Sequence, residues 1–353
     1  MKSFKLGRKK ISKNGQPYVI AEIGVNFENN FQRAKKIIKL AKDGGADAVK
    51  FQSYKAEKIA CRNSPSYWDL KEVSIKSQFK LFKKFDKFGF KEFSLLKKYC
   101  DKIKIDFLST PFDLDAVDYL NSLVPCYKVA SADITNFPLI KKICQKNKPI
   151  VLSTGASNQS EITNAVKYIQ KNNKKIKVII LHCVLSYPTK NHDANLNLIK
   201  IFSKKFKNNI IGYSDHTLPD KNMIILTNSY QNGAQVIEKH FSDVKGKKGN
   251  DHFHSMDKED LIKFRENVDL ILQINNKTTQ RKVLNCEKKS RLNARRSIVA
   301  NIDIKKGQKL SFDNLIMKRP GFGISPSQIL KIIGKTAKRN INEDAIISYQ
   351  DIK

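Results

Sequence analysis

The segment Ile150 to His182, IVLSTGASNQSEITNAVKYIQKNNKKIKVIILH, decides the fold. An apolar run, Ile150 to Thr154, turns polar at its end; a stretch of helical periodicity follows from Glu161 to Lys171, and a second apolar run, Val178 to His182, ends in an imidazole. The same unit recurs outward in both directions. Further runs lie at Tyr18 to Glu22, Ala48 to Gln52, Asp106 to Thr110, Tyr127 to Ser131, Ile210 to His216 and Val236 to His240, with helical stretches such as Arg33 to Lys42 between them. Eight alternations of strand and helix predict an α/β fold, a closed parallel (β/α)8 barrel of the TIM type. In that architecture the C-terminal strand ends converge on one mouth. Glu22, Lys50, Gln52, Thr110, Lys128, Ser131, Ser153, His182, Ser214, His216 and His240 are therefore expected to face a single pocket.

The chain has 353 residues, more than the roughly 250 typical of one such barrel. The excess is C-terminal. A barrel over 1–270 is expected, then a polar linker over 271–293 with little periodicity after its helical start, then a turn-rich domain over 294–353 that opens on a strand at Arg296 to Ala300. The formal net charge is +34, from 67 Lys plus Arg against 33 Asp plus Glu. The lysines spread over helix surfaces instead of forming one aromatic-interleaved stripe, which favours a solvated basic surface over nucleic-acid binding; the same field assists capture of a small anion. Six cysteines without CxxC spacing read as free thiols of a reducing compartment. No apolar stretch reaches the length of a membrane span and no apolar leader follows MKSFKLGRKK, so the expected location is the cytoplasm.

Two of only six histidines fall at equivalent places. His216 closes GYSDHT and His240 closes VIEKHF, so adjacent strands aim two imidazoles at the mouth, a set suited to a divalent transition metal; a pair of hydrogen-bonded core histidines is the alternative. Lys50 in VKF and Lys128 in YKVAS are costly inside apolar strands unless an anion pairs with them. A bound phosphate or carboxylate, helped by the hydroxyls of Ser131, Ser153, Thr154 and Ser214, would supply that anion. An internal ion pair with Glu22 or Asp133, or a Schiff-base lysine, would also account for them. Glu22 in AEIG could act as general base or accept a sugar hydroxyl, and Asp251 in GNDHFHSMD could bind a polyol. The GxG of RPGFGISP has no strand-to-helix context and is no nucleotide fingerprint.

The segments AEIGVN, KFQ, STPFD, KVASADITNFP, LSTG, LHCVLSYPT, GYSDHT, VIEKHF, GNDH, ARRSIVA and KRPGFGISP, in this order, resemble the sialic acid synthase family, phosphoenolpyruvate-condensing enzymes that make N-acetylneuraminate and related nonulosonates such as legionaminate and pseudaminate. The resemblance covers nearly the whole chain. It implies a barrel followed by a small antifreeze-like (SAF) domain and a domain-swapped homodimer in which that domain covers the partner's active site. It also implies a divalent ion, commonly Mn2+ with Mg2+ or Co2+ as alternatives, held by His216 and His240. By the same resemblance Lys50, Thr110, Lys128, Ser131, Ser153 and Ser214 would hold phosphoenolpyruvate. Gln52, Asp133, Tyr187 and Asp251 would hold an N-acylated amino sugar, Arg319 would reach that sugar's acyl group from the partner, and Glu22 matches the catalytic carboxylate. Asp133 stands where several bacterial members have Glu, which leaves the sugar open. Leu185 stands where some have a polar residue, which implies one contact fewer to phosphoenolpyruvate. Other enzymes on the same scaffold, a metal-dependent aldolase or a 3-deoxy-octulosonate-type synthase, and a basic glycan- or polyanion-binding protein are the competing classes.

Overall fold

The computed structural model describes residues 4–12, 15–249, 251–275 and 280–353. They form two compact units, Met1–Asn276 and Lys277–Lys353.

The first unit begins with a small antiparallel hairpin, β1 (Phe4–Leu6) and β2 (Lys9–Ile11). The eight expected strands follow as β3 (Tyr18–Gly24), β4 (Ala48–Ser53), β5 (Asp106–Pro111), β6 (Tyr127–Val129), β7 (Ile150–Ser153), β8 (Val178–Cys183), β9 (Ile210–Asp215) and β10 (Val236–His240). All are parallel, in the order β5-β4-β3-β10-β9-β8-β7-β6, and β5 and β6 sit side by side across the remaining seam of the barrel. Every residue of β3, β5, β8, β9 and β10 is buried, as expected where helices cover the outside and side chains fill the inside.

The helices between strands form for local reasons. That over Gln159–Asn172 starts at a capping box, with Asn158 accepting from the Glu161 backbone and Glu161 returning the bond, and buries Ile162, Ala165, Val166 and Ile169 on one face. The hairpin, which sequence periodicity did not reveal, lies at the opposite end of the barrel from the mouth. Leu6 and Ile11 enter the core, Lys9 pairs with Asp47 just before β4, and the Arg8 backbone N–H donates to Asp106 at the start of β5. Gly7 has φ +53°, and a Cβ there would meet Asp106 Oδ2 at 1.8 Å, so the turn requires glycine.

The segment expected as linker holds the last turn of the helix Lys258–Ile274 and a short helix, Lys288–Ala294; residues 276–279 lie outside the described residues. In the second unit β11 (Ser297–Ala300) pairs antiparallel with β12 (Leu315–Lys318) over a core that includes Ile298, Ile304, Leu310, Ile332 and Ile347. Gly323 packs so closely that a Cβ would lie 2.2 Å from Ile346 Cγ2, so the GxG serves packing. All six cysteines are free, four of them buried, while Cys61 and Cys286 are exposed.

Candidate active site at the barrel mouth

Strand register sorts the candidates by parity, because successive side chains point to opposite faces. Glu238 of β10 pairs with Ser214 of β9, His240 with Glu22 of β3, and Glu22 with Lys50 of β4. These inward residues, with Gln52, Thr110, Lys128, Ser131, Ser153, His216, Asp133 and Tyr187, line one cavity of about 440 Å3 at the C-terminal strand ends. The outward layer is different in kind. Asp215 pairs with Lys239, Nζ to Oδ2 2.6 Å, both fully buried, and Tyr213 and Thr217 complete the carboxylate's bonds.

Two expectations are corrected by the same parity. His182 does not face the mouth: it pairs with outward Tyr213, stacks on that ring, and bonds the Ala194 carbonyl through Nε2 at 2.8 Å, while its neighbour Cys183 faces inward. Thr154 also turns away, donating to the Leu181 carbonyl.

At the cavity floor four buried charges interlock. Lys50 Nζ lies 2.5 Å from Glu22 Oε2 and 3.8 Å from Glu238 Oε2, and donates to Thr110 Oγ1 at 3.0 Å. Lys128 Nζ lies 3.7 Å from Glu238 Oε1, which accepts from Ser214 Oγ at 3.0 Å. The internal ion pair that the sequence left open thus exists, through Glu22 and, unforeseen, through Glu238. Burial pushes Glu22 up to about 7 against the pull of Lys50. Burial would lower Lys50, but Glu22 and Glu238 hold it above its usual value. Lys128 is lowered by burial, and Glu238 stays below the ordinary range because Lys128 and Lys50 outweigh its burial. Ser153 Oγ and Glu238 Oε2 are buried without a hydrogen-bond partner among the described residues. A charged layer with spare polar atoms and a loosely held lysine can accept an anion.

Above this layer stand imidazoles. His216 Nδ1 donates to the Val184 carbonyl at 2.8 Å, a bond that fixes the ring's orientation; burial would lower this imidazole, but Cys183 and the Val184 carbonyl hold it above its usual value. The His216 and His240 ring centres are 5.5 Å apart. His240 Nδ1 lies 3.3 Å from Asp251 Oδ2, and His254, which the sequence reading passed over, is fully buried with its ring centre 4.6 Å from that of His240. His240, Asp251 and His254 each bring a ligand atom within 4.8 Å of the others, and, the His240–Asp251 approach lacking hydrogen-bond geometry, three imidazole nitrogens (His240 Nδ1, His254 Nδ1 and Nε2) have no hydrogen-bond partner among the described residues. Burial, then the neighbouring imidazole, holds His240 and His254 well below the usual histidine value, so both are neutral donors suited to a divalent ion.

The sugar-side candidates surround these rings. Gln52 Nε2 donates to Glu22 Oε1 at 3.3 Å, Asn136 Nδ2 donates to Asp133 at 3.0 Å, and the Tyr187 ring lies 4.3 Å from that of His216. An adjoining pocket shares Gln52, Tyr54, Tyr67, Phe82, Tyr187 and His240 with the main cavity and adds Trp68, Phe85, Asp251 and Phe253. Five of its aromatic residues, Tyr54, Tyr67, Trp68, Phe82 and Phe85, come from the long segment after β4, which carried no motif, while Tyr187 and Phe253 follow β8 and β10. Arg319 is exposed just after β12 in the second unit.

Comparison with known proteins adds an independent line. The profile of the NeuB family matches residues 37–280, and that of the SAF domain matches 295–353. The chain is 39% identical over 335 residues to N,N'-diacetyllegionaminic acid synthase of Campylobacter jejuni, covering 93% of this chain and 98% of that protein. It is 30% identical over 333 residues to human N-acetylneuraminate-9-phosphate synthase, covering 94% and 91%. Among solved structures, N-acetylneuraminic acid (sialic acid) synthetase from Leptospira borgpetersenii superposes with a TM-score of 0.71 at 33% identity, covering 82% of this chain and 95% of that one.

Proposed function

Because the chain belongs to the NeuB family and ends in a SAF domain, we propose that it condenses phosphoenolpyruvate with an unphosphorylated N-acylmannosamine-type sugar, giving a nonulosonic acid and inorganic phosphate. The observation that carries this reading is the buried layer of Lys50, Glu22, Glu238 and Lys128 directly beneath the imidazoles of His216 and His240, an anion site and a cation site in one cavity.

Lys50 and Lys128 bind phosphoenolpyruvate, with Thr110, Ser131, Ser153 and Ser214 supplying hydroxyls. Gln52, Asp133, Tyr187 and Asp251 orient the acceptor, and Arg319 of a second copy of the chain reaches its acyl group in a homodimer. A divalent ion held by His216 and His240, Mn2+ in preference to Mg2+ or Co2+, supplies Lewis acidity at the acceptor's aldehyde oxygen when bound. Carbon C3 of phosphoenolpyruvate bonds to the aldehyde carbon. Glu22, titrating near neutrality, takes the proton of the water that adds at C2. The C2–O bond to phosphate then breaks, and the two lysines balance the departing charge. Free thiols suit a cytoplasmic enzyme.

The adjoining aromatic pocket favours a second reading of the acceptor. Its described lining carries no lysine or arginine, and Lys58 at the rim of the main cavity is paired with Asp115, so neither offers a cation for a sugar phosphate. Apolar walls suit the deoxy carbon and additional acetamido group of a diacetamido-trideoxyhexose, the acceptor type of a legionaminate or pseudaminate synthase. The test is phosphate release from phosphoenolpyruvate against a panel of acceptors, with the product mass recorded. Release must require both substrates; release with phosphoenolpyruvate alone, or only with a phosphorylated sugar, would overturn the assignment.

A further inference from the structure

His254 is the one imidazole at the mouth that no step above employs. It lies on the loop after β10, is fully buried, and neither ring nitrogen has a hydrogen-bond partner among the described residues. A histidine placed only for packing would satisfy at least its N–H, since an unpaired buried donor costs about 1 to 3 kcal/mol. His252, on the same loop, does so: Nδ1 meets Ser242 Oγ at 2.7 Å and Nε2 meets Glu28 Oε1 at 3.3 Å. His254 instead faces the other two rings, with centre-to-centre distances of 4.6 Å to His240 and 6.1 Å to His216, while those two are 5.5 Å apart. Metal–nitrogen bonds of about 2.1 Å place imidazole centres around one ion roughly 4.5 to 6 Å apart; the His240–His254 and His216–His240 spacings fall inside that range, His216–His254 lies just beyond it, and ligand atoms of His240, Asp251 and His254 already lie within 4.8 Å of one another.

We infer that His254 is a third protein ligand of the divalent ion, making the centre a three-imidazole site beside the Asp251 carboxylate. The inference rests on the proposed function only in placing an ion at the mouth. Its consequence is selectivity. Nitrogen-rich sites follow the first-row affinity order, so each added imidazole favours Co2+ or Zn2+ over Mg2+ and slows loss of the ion to chelators.

Metal binding tests this without turnover. X-ray absorption on the unaltered protein loaded with one equivalent of Co2+ should count three imidazoles; a count of two overturns the inference. By chelator competition, His254→Ala and His254→Phe should weaken Co2+ binding by at least about tenfold, the scale on which the partners of a metal ligand matter. Circular dichroism and the Tm of the metal-free variants confirm that they fold. An unchanged Kd in a folded variant overturns the inference. Condensation by a folded His254→Ala protein at saturating metal would leave the proposed function standing whichever way the affinity measurement falls, and absence of condensation from an unaltered three-imidazole protein would sink the function alone.

Discussion

Replacing Lys50 by Met separates the two jobs of the charged layer. The substitution keeps much of the aliphatic volume, removes the ammonium 2.5 Å from Glu22, and leaves Glu238 with Lys128 and Ser214. A carboxyl held above its ordinary value stabilises fully below that ordinary value, 4.5, and loses the contribution as pH rises to the folded value, about 7 in the intact protein. Without Lys50 nothing comparable pulls Glu22 down, so the variant goes on losing stability above pH 7 where the parent has stopped. The two proteins should therefore differ little through this group at pH 6. Each pH unit above 7 adds about 1.4 kcal/mol, near 2.7 kcal/mol by pH 9, approaching the roughly 3 to 5 kcal/mol of a broken buried pair. At roughly 2 to 4 °C per kcal/mol the Tm gap by pH 9 is about 5 to 10 °C. Thermal unfolding from pH 6 to pH 9 reads it, and Lys50→Met combined with Glu22→Gln should flatten the pH dependence. Turnover reads the other job: kcat/KM for phosphoenolpyruvate should fall roughly ten- to a hundredfold at pH 7, and the double variant should not recover it. A Tm gap equal at pH 6 and pH 9, or a kcat/KM within twofold of the parent, would refute the reasoning.

The remaining expectations are briefer. Lys128→Met, whose ammonium lies 3.7 Å from its nearest carboxylate, should lose about ten- to a hundredfold in kcat/KM for phosphoenolpyruvate with a Tm shift of no more than a few degrees; equal loss of stability in both lysine variants would show that Lys128 is structural. Chelation should abolish condensation and added Mn2+ restore it, and His216→Ala or His240→Ala should be inactive yet folded by circular dichroism; full turnover after chelation would remove the metal from the reaction. Asp215→Asn should cost about 3 to 5 kcal/mol in urea unfolding, because it strands the fully buried Lys239, while the KM for phosphoenolpyruvate stays within a fewfold. Arg319→Ala should raise the acceptor KM. Heterodimers of Arg319→Ala with Glu22→Ala should regain partial activity; none in verified heterodimers would place the arginine in cis or outside the site.

Run positions were legible because β-strands buried on both faces read as continuous apolar segments, and most of the mouth could be named from the residues that end them. Parity was harder. His182 ends its run as visibly as His240 does, yet a single position decides whether a strand residue faces the barrel interior or the helices, and the inward residue of β8 proved to be Cys183. Glu238 was recoverable, since it lies two residues before His240 and therefore shares its face. His254 and the aromatic wall of Tyr67 and Trp68 were not, because they sit on loops whose course no periodicity dictates. The hairpin escaped for a related reason: strands of three residues carry too short a pattern to register.

That hairpin covers the base of the barrel with apolar side chains. Leu6 and Ile11 pack into the base and Asp106 grips the turn between them, while the cavity that holds the four charges opens at the mouth. A substrate that stoppers the mouth then dries the whole layer at once. The field among the charges rises in a single step as the ligand seats, so the sensitivity of the chemistry to a loosely fitting acceptor is set partly by residues at the far end of the molecule.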